Sequence, residues 1–299
     1  MKKGVIVWLI IGISLILIGC LTFGGAMSMI KWNFLDLSTS VFETKEYVIS
    51  EKYSNITIFS KQADVVFEPT TETETKVICY QQTNLTYSVK VTDNTLLIET
   101  TDTRKWIDHI SFNLKQPQIT LCVPQGEYDA LTINGDTGYV NVSSEFQFNN
   151  IEITQSTGKI INFASATNDI ILTTNTGGIT VGNVSAKNLF VTVSTGKVNL
   201  AEVSCENLVS NGNTGDITLK NTEANEINIT RSTGDVELEN CDAEKISIKT
   251  GTGDITGTLK TQKVFTAETS TGKIDVPDSL NGGTCDLKTS TGDIKIQVK

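Results

Sequence analysis

Apolar and polar residues alternate in short runs over most of this chain, and the runs recur on a fixed period. Five-residue motifs appear nine times: Asp136-Thr137-Gly138-Tyr139-Val140, Ser156-Thr157-Gly158-Lys159-Ile160, Asn175-Thr176-Gly177-Gly178-Ile179, Ser194-Thr195-Gly196-Lys197-Val198, Asn213-Thr214-Gly215-Asp216-Ile217, Ser232-Thr233-Gly234-Asp235-Val236, Gly251-Thr252-Gly253-Asp254-Ile255, Ser270-Thr271-Gly272-Lys273-Ile274 and Ser290-Thr291-Gly292-Asp293-Ile294. Their glycines are spaced 20, 19, 19, 19, 19, 19, 19 and 20 residues apart. Two places after each glycine stands Val or Ile, a β-branched residue suited to a strand. A second apolar position often follows (Val142, Val181, Leu200, Leu219, Leu238, Val276, Ile296). Before the turn comes another alternating pair, as in Leu131/Ile133, Ile151/Ile153 and Ile246/Ile248. Period-two alternation puts one face inward and one outward.

Each column has a physical reading. Glycine permits a positive φ in a tight turn. The Ser, Asn or Asp two places earlier can bond backbone groups of that turn. A small column, Ala186, Cys205, Ala224 and Ala243, marks a second corner. Each copy therefore reads strand, turn, strand, loose corner. A constant period stacks like on like when each copy is one coil and neighbouring coils pair in parallel. The pattern predicts an all-β fold, a single-stranded parallel β-helix (solenoid) of ~19-residue coils, stabilised by stacking. Nine coils at ~4.8 Å make a rod ~40 Å long.

Segment 51–130 reads as degenerate capping coils ahead of the regular repeats at 131–299. Ser54-Asn55-Ile56-Thr57-Ile58 and Ala63-Asp64-Val65-Val66 follow the strand–turn–strand pattern with Ala63 in place of glycine. Gln118 to Val123 form a further strand, closed by Pro124. At the other end Lys295 and Lys299 alternate with Ile294, Ile296 and Val298, which predicts an edge strand protected by lysine.

The N-terminal segment breaks the period. Met1-Lys2-Lys3 precedes an uncharged stretch from Gly4 to Ile30, bracketed by Trp8 and Trp32. As a helix it spans ~40 Å, more than the ~30 Å hydrocarbon core of a bilayer. Residues 1–3 are expected in the cytoplasm, 4–30 as one transmembrane anchor and 31–50 as an extracellular tether. The rest is then a single-pass ectodomain outside the cell membrane. Leu17-Ile18-Gly19-Cys20 also has the form of a bacterial lipobox, but Leu21-Thr22-Phe23 continues the apolar run, where a lipoprotein turns polar. A cleaved signal peptide would want a shorter apolar core and a small-residue cleavage site.

Charge narrows the partners. The formal net charge is −10, and beyond Lys31 the chain carries 21 basic against 34 acidic side chains. Such a surface repels phosphate backbones and anionic lipid alike, so no nucleic-acid partner is expected. Six cysteines without a CxxC pair read as small core thiols rather than disulfides or a metal site.

Candidate chemistry is sparse. His109, the single histidine, lacks the neighbours of a nucleophilic triad. It lies in Arg104-Lys105-Trp106-Ile107-Asp108-His109-Ile110, a basic, aromatic break in the rod. Arg104, Lys105, Trp106 and His109 are therefore the candidate partner contact. Asp136-Thr137-Gly138 matches the triplet around an aspartic-protease carboxylate, but that chemistry needs two carboxylates sharing a proton. Lysine after glycine in three copies (Lys159, Lys197, Lys273) argues against a repeated calcium cage, though Asp216, Asp235 and Asp254 could hold one weak ion. A column of threonines from Thr137 to Thr291 could suit ice binding, but it sits at a turn. No catalytic, cofactor or metal residues and no cofactor are assigned.

The STGD-type turns, Lys31-Trp32-Asn33-Phe34 after the apolar span, and Arg104-Lys105-Trp106 before the regular coils are similar to a known family. It is the bacterial putative-adhesin family of membrane-anchored β-strand-repeat domains of unknown function. The resemblance covers roughly residues 30–299. It implies an ectodomain of a Gram-positive cell envelope, with no assigned catalytic residues to carry over. It also implies an adhesive or envelope-stress accessory role, with a cell-envelope component or membrane protein as partner. The alternative is an enzyme acting on envelope polysaccharide, since some parallel β-helices cleave acidic glycans. Coils this regular leave little room for the loops such a site needs.

Overall fold

The computed structural model describes residues 3–29, 31–32, 40–106 and 115–299. They form one helix, Lys3–Met29, followed by 22 strands in a single sheet that winds on itself. The helix is long and apolar enough to cross a membrane, and nearly all its described side chains are exposed. The strands form the expected parallel solenoid, one coil per repeat.

The Val/Ile column after the turn glycines runs up the interior. Val140, Ile160, Ile179, Val198, Ile217, Val236, Ile255 and Ile294 are all fully buried. Parallel ladders hold adjacent coils in register, for example Ile179 beside Val198 and Leu189 beside Leu208. Identical side chains thus stack on each other at the ladder spacing, which one coil could not achieve alone.

At the sharp turn the geometry demands glycine. Gly196 has a φ of 149°, and a Cβ there would lie 1.7 Å from the carbonyl oxygen of Gly177 in the coil below. The N–H of every turn glycine except Gly272, on the outermost coil, donates to a threonine carbonyl of the neighbouring coil, as Gly177 does to Thr195 at 2.9 Å. At the second corner Asn183, Glu202, Asn221 and Asn240 each have a φ near 50°. Asn240 also donates from Nδ2 to Asn221 Oδ1 at 2.8 Å. The small column Ala186, Cys205, Ala224, Ala243 stacks in register just beyond.

The order of coils in space departs from their order in the chain at both ends. Near the C-terminus, strand Gly283–Thr291 pairs with Val236–Thr252 on one side and Lys263–Thr271 on the other. Likewise Ile294–Val298 lies between Ile255–Leu259 and Ile274–Asp275. The chain therefore leaves the Gly253 coil, builds the outermost Gly272 coil, and returns to fill the layer between. The expected edge holds only in part. Ile274–Asp275 covers Ile294 and Lys295, residues 296–298 pair on one side only, and the longer open strand at this end is Lys263–Thr271. The reason is physical: the two copies share the same inward pattern, so either fits either layer.

The other end repeats the device. The coil Asn55–Gln62, Ala63, Asp64–Thr70 stacks directly beneath the Gly138 coil, with Ala63 below Gly138. Its other side is covered by Thr95–Asp102 and Gln118–Pro124, which come later in the chain. Beyond them the pairing turns antiparallel: Leu85–Thr92 on Thr95–Asp102, Thr75–Gln82 on Gln118–Pro124, and Phe42–Ile49 on Thr75–Gln82. Segment 51–130 thus holds one true coil and part of an antiparallel cap. Val77, Cys79, Leu85 and Tyr87 are buried within that cap. Tyr47 Oη donates to the Tyr87 carbonyl at 2.7 Å, and Tyr87 Oη to the Gln62 carbonyl at 3.3 Å.

Candidate functional site

Residues 103–117 connect Thr95–Asp102 to Gln118–Pro124 in the chain, and 107–114 of them lie outside the described residues. Those strands flank Asn55–Gln62 and Asp64–Thr70, whose own turn is Ala63. The described ends of the segment, 103–106 and 115–117, therefore lie at the turn edge of the rod, beside the cap. Its stem is fixed by charge. Arg104 donates to Asp102 from Nη2 at 2.9 Å and from Nε at 3.0 Å, and from Nη1 to Gln62 Oε1 at 3.1 Å. Lys61 Nζ adds a contact of 3.3 Å to Asp102. The Arg104 guanidinium holds the Asp102 carboxyl well below the usual carboxylate range.

Of the four expected contact residues, then, Arg104 is largely buried and serves the stem. Lys105 follows it, and Trp106 is 76% exposed. His109 lies outside the described residues. Lys115, at the returning stem, sits 5.9 Å from the centre of the Phe42 ring. Phe42 begins the first cap strand, so the returning end of the segment lies beside the start of the cap.

The turn edge resolves the other candidates. Asp216 Oδ1 accepts the Asp235 N–H at 3.2 Å, Asp235 that of Asp254 at 2.9 Å, Asp254 that of Asp293 at 2.7 Å and Asp293 that of Lys273 at 2.7 Å. The inserted layer makes the run four aspartates long, because Asp293 rather than Lys273 follows Asp254 in space. Each carboxylate clips one coil to the next. Lys197 Nζ closes the lower end at 3.0 Å from Asp216, and its ammonium lowers that carboxyl. Among the described residues no group of three or more His, Cys, Asp or Glu is placed to hold a metal ion. The nine threonines form an exposed ridge along this edge. Asp136 is an exposed member of its turn column, with no second carboxylate in that triplet's role.

The described sulfurs are free thiols. Burial pushes Cys79, Cys205 and Cys285 up to about 12, so the nucleophilic thiolate is scarce at neutral pH. Two features escaped the sequence reading. One is Arg231, 3% exposed in an inward column, donating to Ser210 Oγ at 2.9 Å. Burial lowers its pKa to about 10. Gly212 in the coil below makes room for it, since a Cβ there would meet Nη1 at 1.8 Å; that glycine, outside the turn column, was the available signal. The other is a solvent-open groove of about 670 Å³ at the second corner, lined by Glu223, Asp242, Glu244, Thr261 and Lys263. Lys263 is buried there and bonds Asp242 Oδ1 at 2.6 Å and the Thr261 hydroxyl, which anchors the start of the outermost coil.

Residues 53–208 and 164–299 each match the family model described as Toastrack DUF4097, and the chain belongs to that family. No curated protein matches it. The solved structure of a putative adhesin from Parabacteroides merdae is 12% identical, with a TM-score of 0.51 over 87% of this chain and 98% of that one. A putative lipid binding protein from Parabacteroides distasonis is 16% identical, with a TM-score of 0.48 over 88% of this chain and 98% of that one. A putative adhesin from Bacteroides fragilis is 15% identical, with a TM-score of 0.44 over 87% of this chain and 99% of that one. The first of these likenesses is one of fold.

Proposed function

We propose that this Toastrack chain is a non-catalytic adhesive rod, anchored in the cell membrane by Lys3–Met29 and held outside the cell. The observation that carries the reading is the position of the helix. It leads, through residues 30–41, into Phe42–Ile49 at the capped end, so the opposite end of the rod is free to point away from the membrane. The lysines before the helix favour an inside N-terminus. The Parabacteroides merdae putative adhesin, a neighbour in fold, agrees with an adhesive role. The turn aspartates Asp216, Asp235, Asp254 and Asp293 each accept a backbone N–H of the neighbouring coil, which supports a structural rather than an acid–base role for that column.

A second reading has one observation in its favour. Trp106 is exposed beside the cap, the end that the anchored reading turns toward the membrane and offers to an envelope or membrane protein. In that role the rod is an accessory to an envelope stress response, with Arg104, Lys105, Trp106 and His109 around the contact.

Protease added to intact cells producing the full chain tests the anchored reading. Digestion of the rod with a helix-sized fragment left in the membrane is expected; a rod protected until the cells are lysed would overturn it. Cross-linking in the same cells, with Trp106→Ala as control, tests the accessory role. That role predicts an adduct lost in the variant, and no such adduct would remove it.

A further inference from the structure

The outermost coil lacks a neighbour. Strand Lys263–Thr271 pairs only with Gly283–Thr291, and Ile274–Asp275 only with Ile294–Val298, so one rim of backbone N–H and C=O groups is open. The inward columns end there without cover. Ile274 is 47% exposed, whereas its eight column-mates are buried, and Leu280, in the segment between Ile274–Asp275 and Gly283–Thr291, is 87% exposed. Phe265, Ala267 and Val276 are only partly buried.

Solenoids blunt such ends with charge. The strand Phe42–Ile49 at the other end does so with exposed Glu43, Lys45 and Glu46. Strand Lys263–Thr271 does not. Lys263 is turned inward to Asp242, and Glu268 is held by Lys288 at 2.6 Å. The charge of the whole tip is also unlike that of the rod. Residues 263–299 carry five acidic and five basic side chains, against 17 acidic and 8 basic in residues 126–262. Two copies would repel along their flanks but meet without net repulsion at their tips.

We infer that the open tip docks onto the tip of a second copy of this chain, by antiparallel pairing of the two Lys263–Thr271 strands about a two-fold axis. An isologous contact of this kind presents the same edge twice and closes at two copies. It supplies the missing backbone partners and covers Ile274 and Leu280 with their own counterparts. Head-to-tail stacking has no comparable seat, because the other end carries the antiparallel cap. This contact rests on the adhesive reading above and gives it a partner: the same protein, approached from an opposing surface.

The test uses the full chain purified in detergent and, separately, in two fluorescently distinct vesicle populations. Sedimentation should show a dimer that Ile274→Glu and Leu280→Asp each weaken about tenfold or more. Leu280→Asp guards against misfolding, since that side chain packs on almost nothing. Thr233→Lys, on the exposed ridge of the rod, should leave the dimer intact. A monomer at every concentration, or a dimer indifferent to both tip variants, overturns the tip contact. Vesicles carrying the wild-type chain should cluster, and those carrying tip variants should not. A tip-dependent dimer without clustering would keep the contact and overturn the adhesive reading. Clustering that ignores the tip variants would do the reverse.

Discussion

The helix end of the rod buries Tyr87, Leu85 and Val77 under antiparallel strands, while the far end leaves Ile274 and Leu280 in solvent. Both ends nevertheless use one device, a coil threaded out of order between layers built from its own flanking chain. At the helix end the threaded coil is Asn55–Thr70; at the far end it is Gly283–Val298. Chain termini fray when held on one side only. Threading pins Gly283–Thr291 and the start of the last strand, Ile294 and Lys295, on both sides. The difference lies in what covers the outermost layer: a built cap at one end, and at the other a bare ladder edge.

Several substitutions break or sharpen this contrast. The largest effect is expected in the locked middle. Gly196→Ala combines a left-handed φ with a Cβ overlapping Gly177, and should cost about 4 kcal/mol or more in denaturant unfolding. The same change at Gly272 meets the Gly292 carbonyl oxygen, but its coil can lift outward, so a clearly smaller loss is expected. Next comes the cap. Tyr87→Ala empties a buried ring site and should cost about 3–4 kcal/mol, seen as a lower unfolding midpoint.

The third test compares two residues of one column. Ile294→Ala should cost about 2–4 kcal/mol and Ile274→Ala under about 1 kcal/mol. Equal losses, or the reverse order, would mean that the last strand is the true edge.

A smaller effect is expected from pH. The Asp102 carboxyl is depressed by Arg104, so its contribution is present above its unfolded value of about 4 and is lost as pH falls below that. Stability measured from about pH 6 down to about pH 3 should therefore fall less steeply in Asp102→Asn than in the wild type. Smallest of all, Thr233→Ala on the exposed ridge should shift stability by no more than about 0.5 kcal/mol. A large loss there would mean that the ridge is more than a solvated edge.

The interior of the rod was legible in the sequence because its physics is periodic. A glycine at a fixed interval and a β-branched residue two places on specify turn, strand and inward column together. Ala63 was also readable as a turn position, since Asp64 and Val65 keep the pattern around it. The order of the last two coils was not. Ser270 to Ile274 and Ser290 to Ile294 satisfy the same column, and their spacings of 19 and 20 both occur elsewhere in the repeat. A faint trace exists in the weaker inward residues of the outer copy, Ala267 where all other regular coils but that of Ser210 place Ile, Leu or Val. The antiparallel cap was hidden for a different reason. Its strands alternate like those of a coil, and pairing direction leaves no mark on a period of two. At the candidate contact the sequence could not separate Arg104, which holds the stem, from Trp106, which is exposed.

Amide hydrogen exchange on the full chain addresses the threaded end most directly. The threaded order predicts that amides of residues 263–271 exchange first and that those of residues 285–296 stay protected with the core. Early exchange of residues 285–296, with residues 263–271 protected, would contradict it.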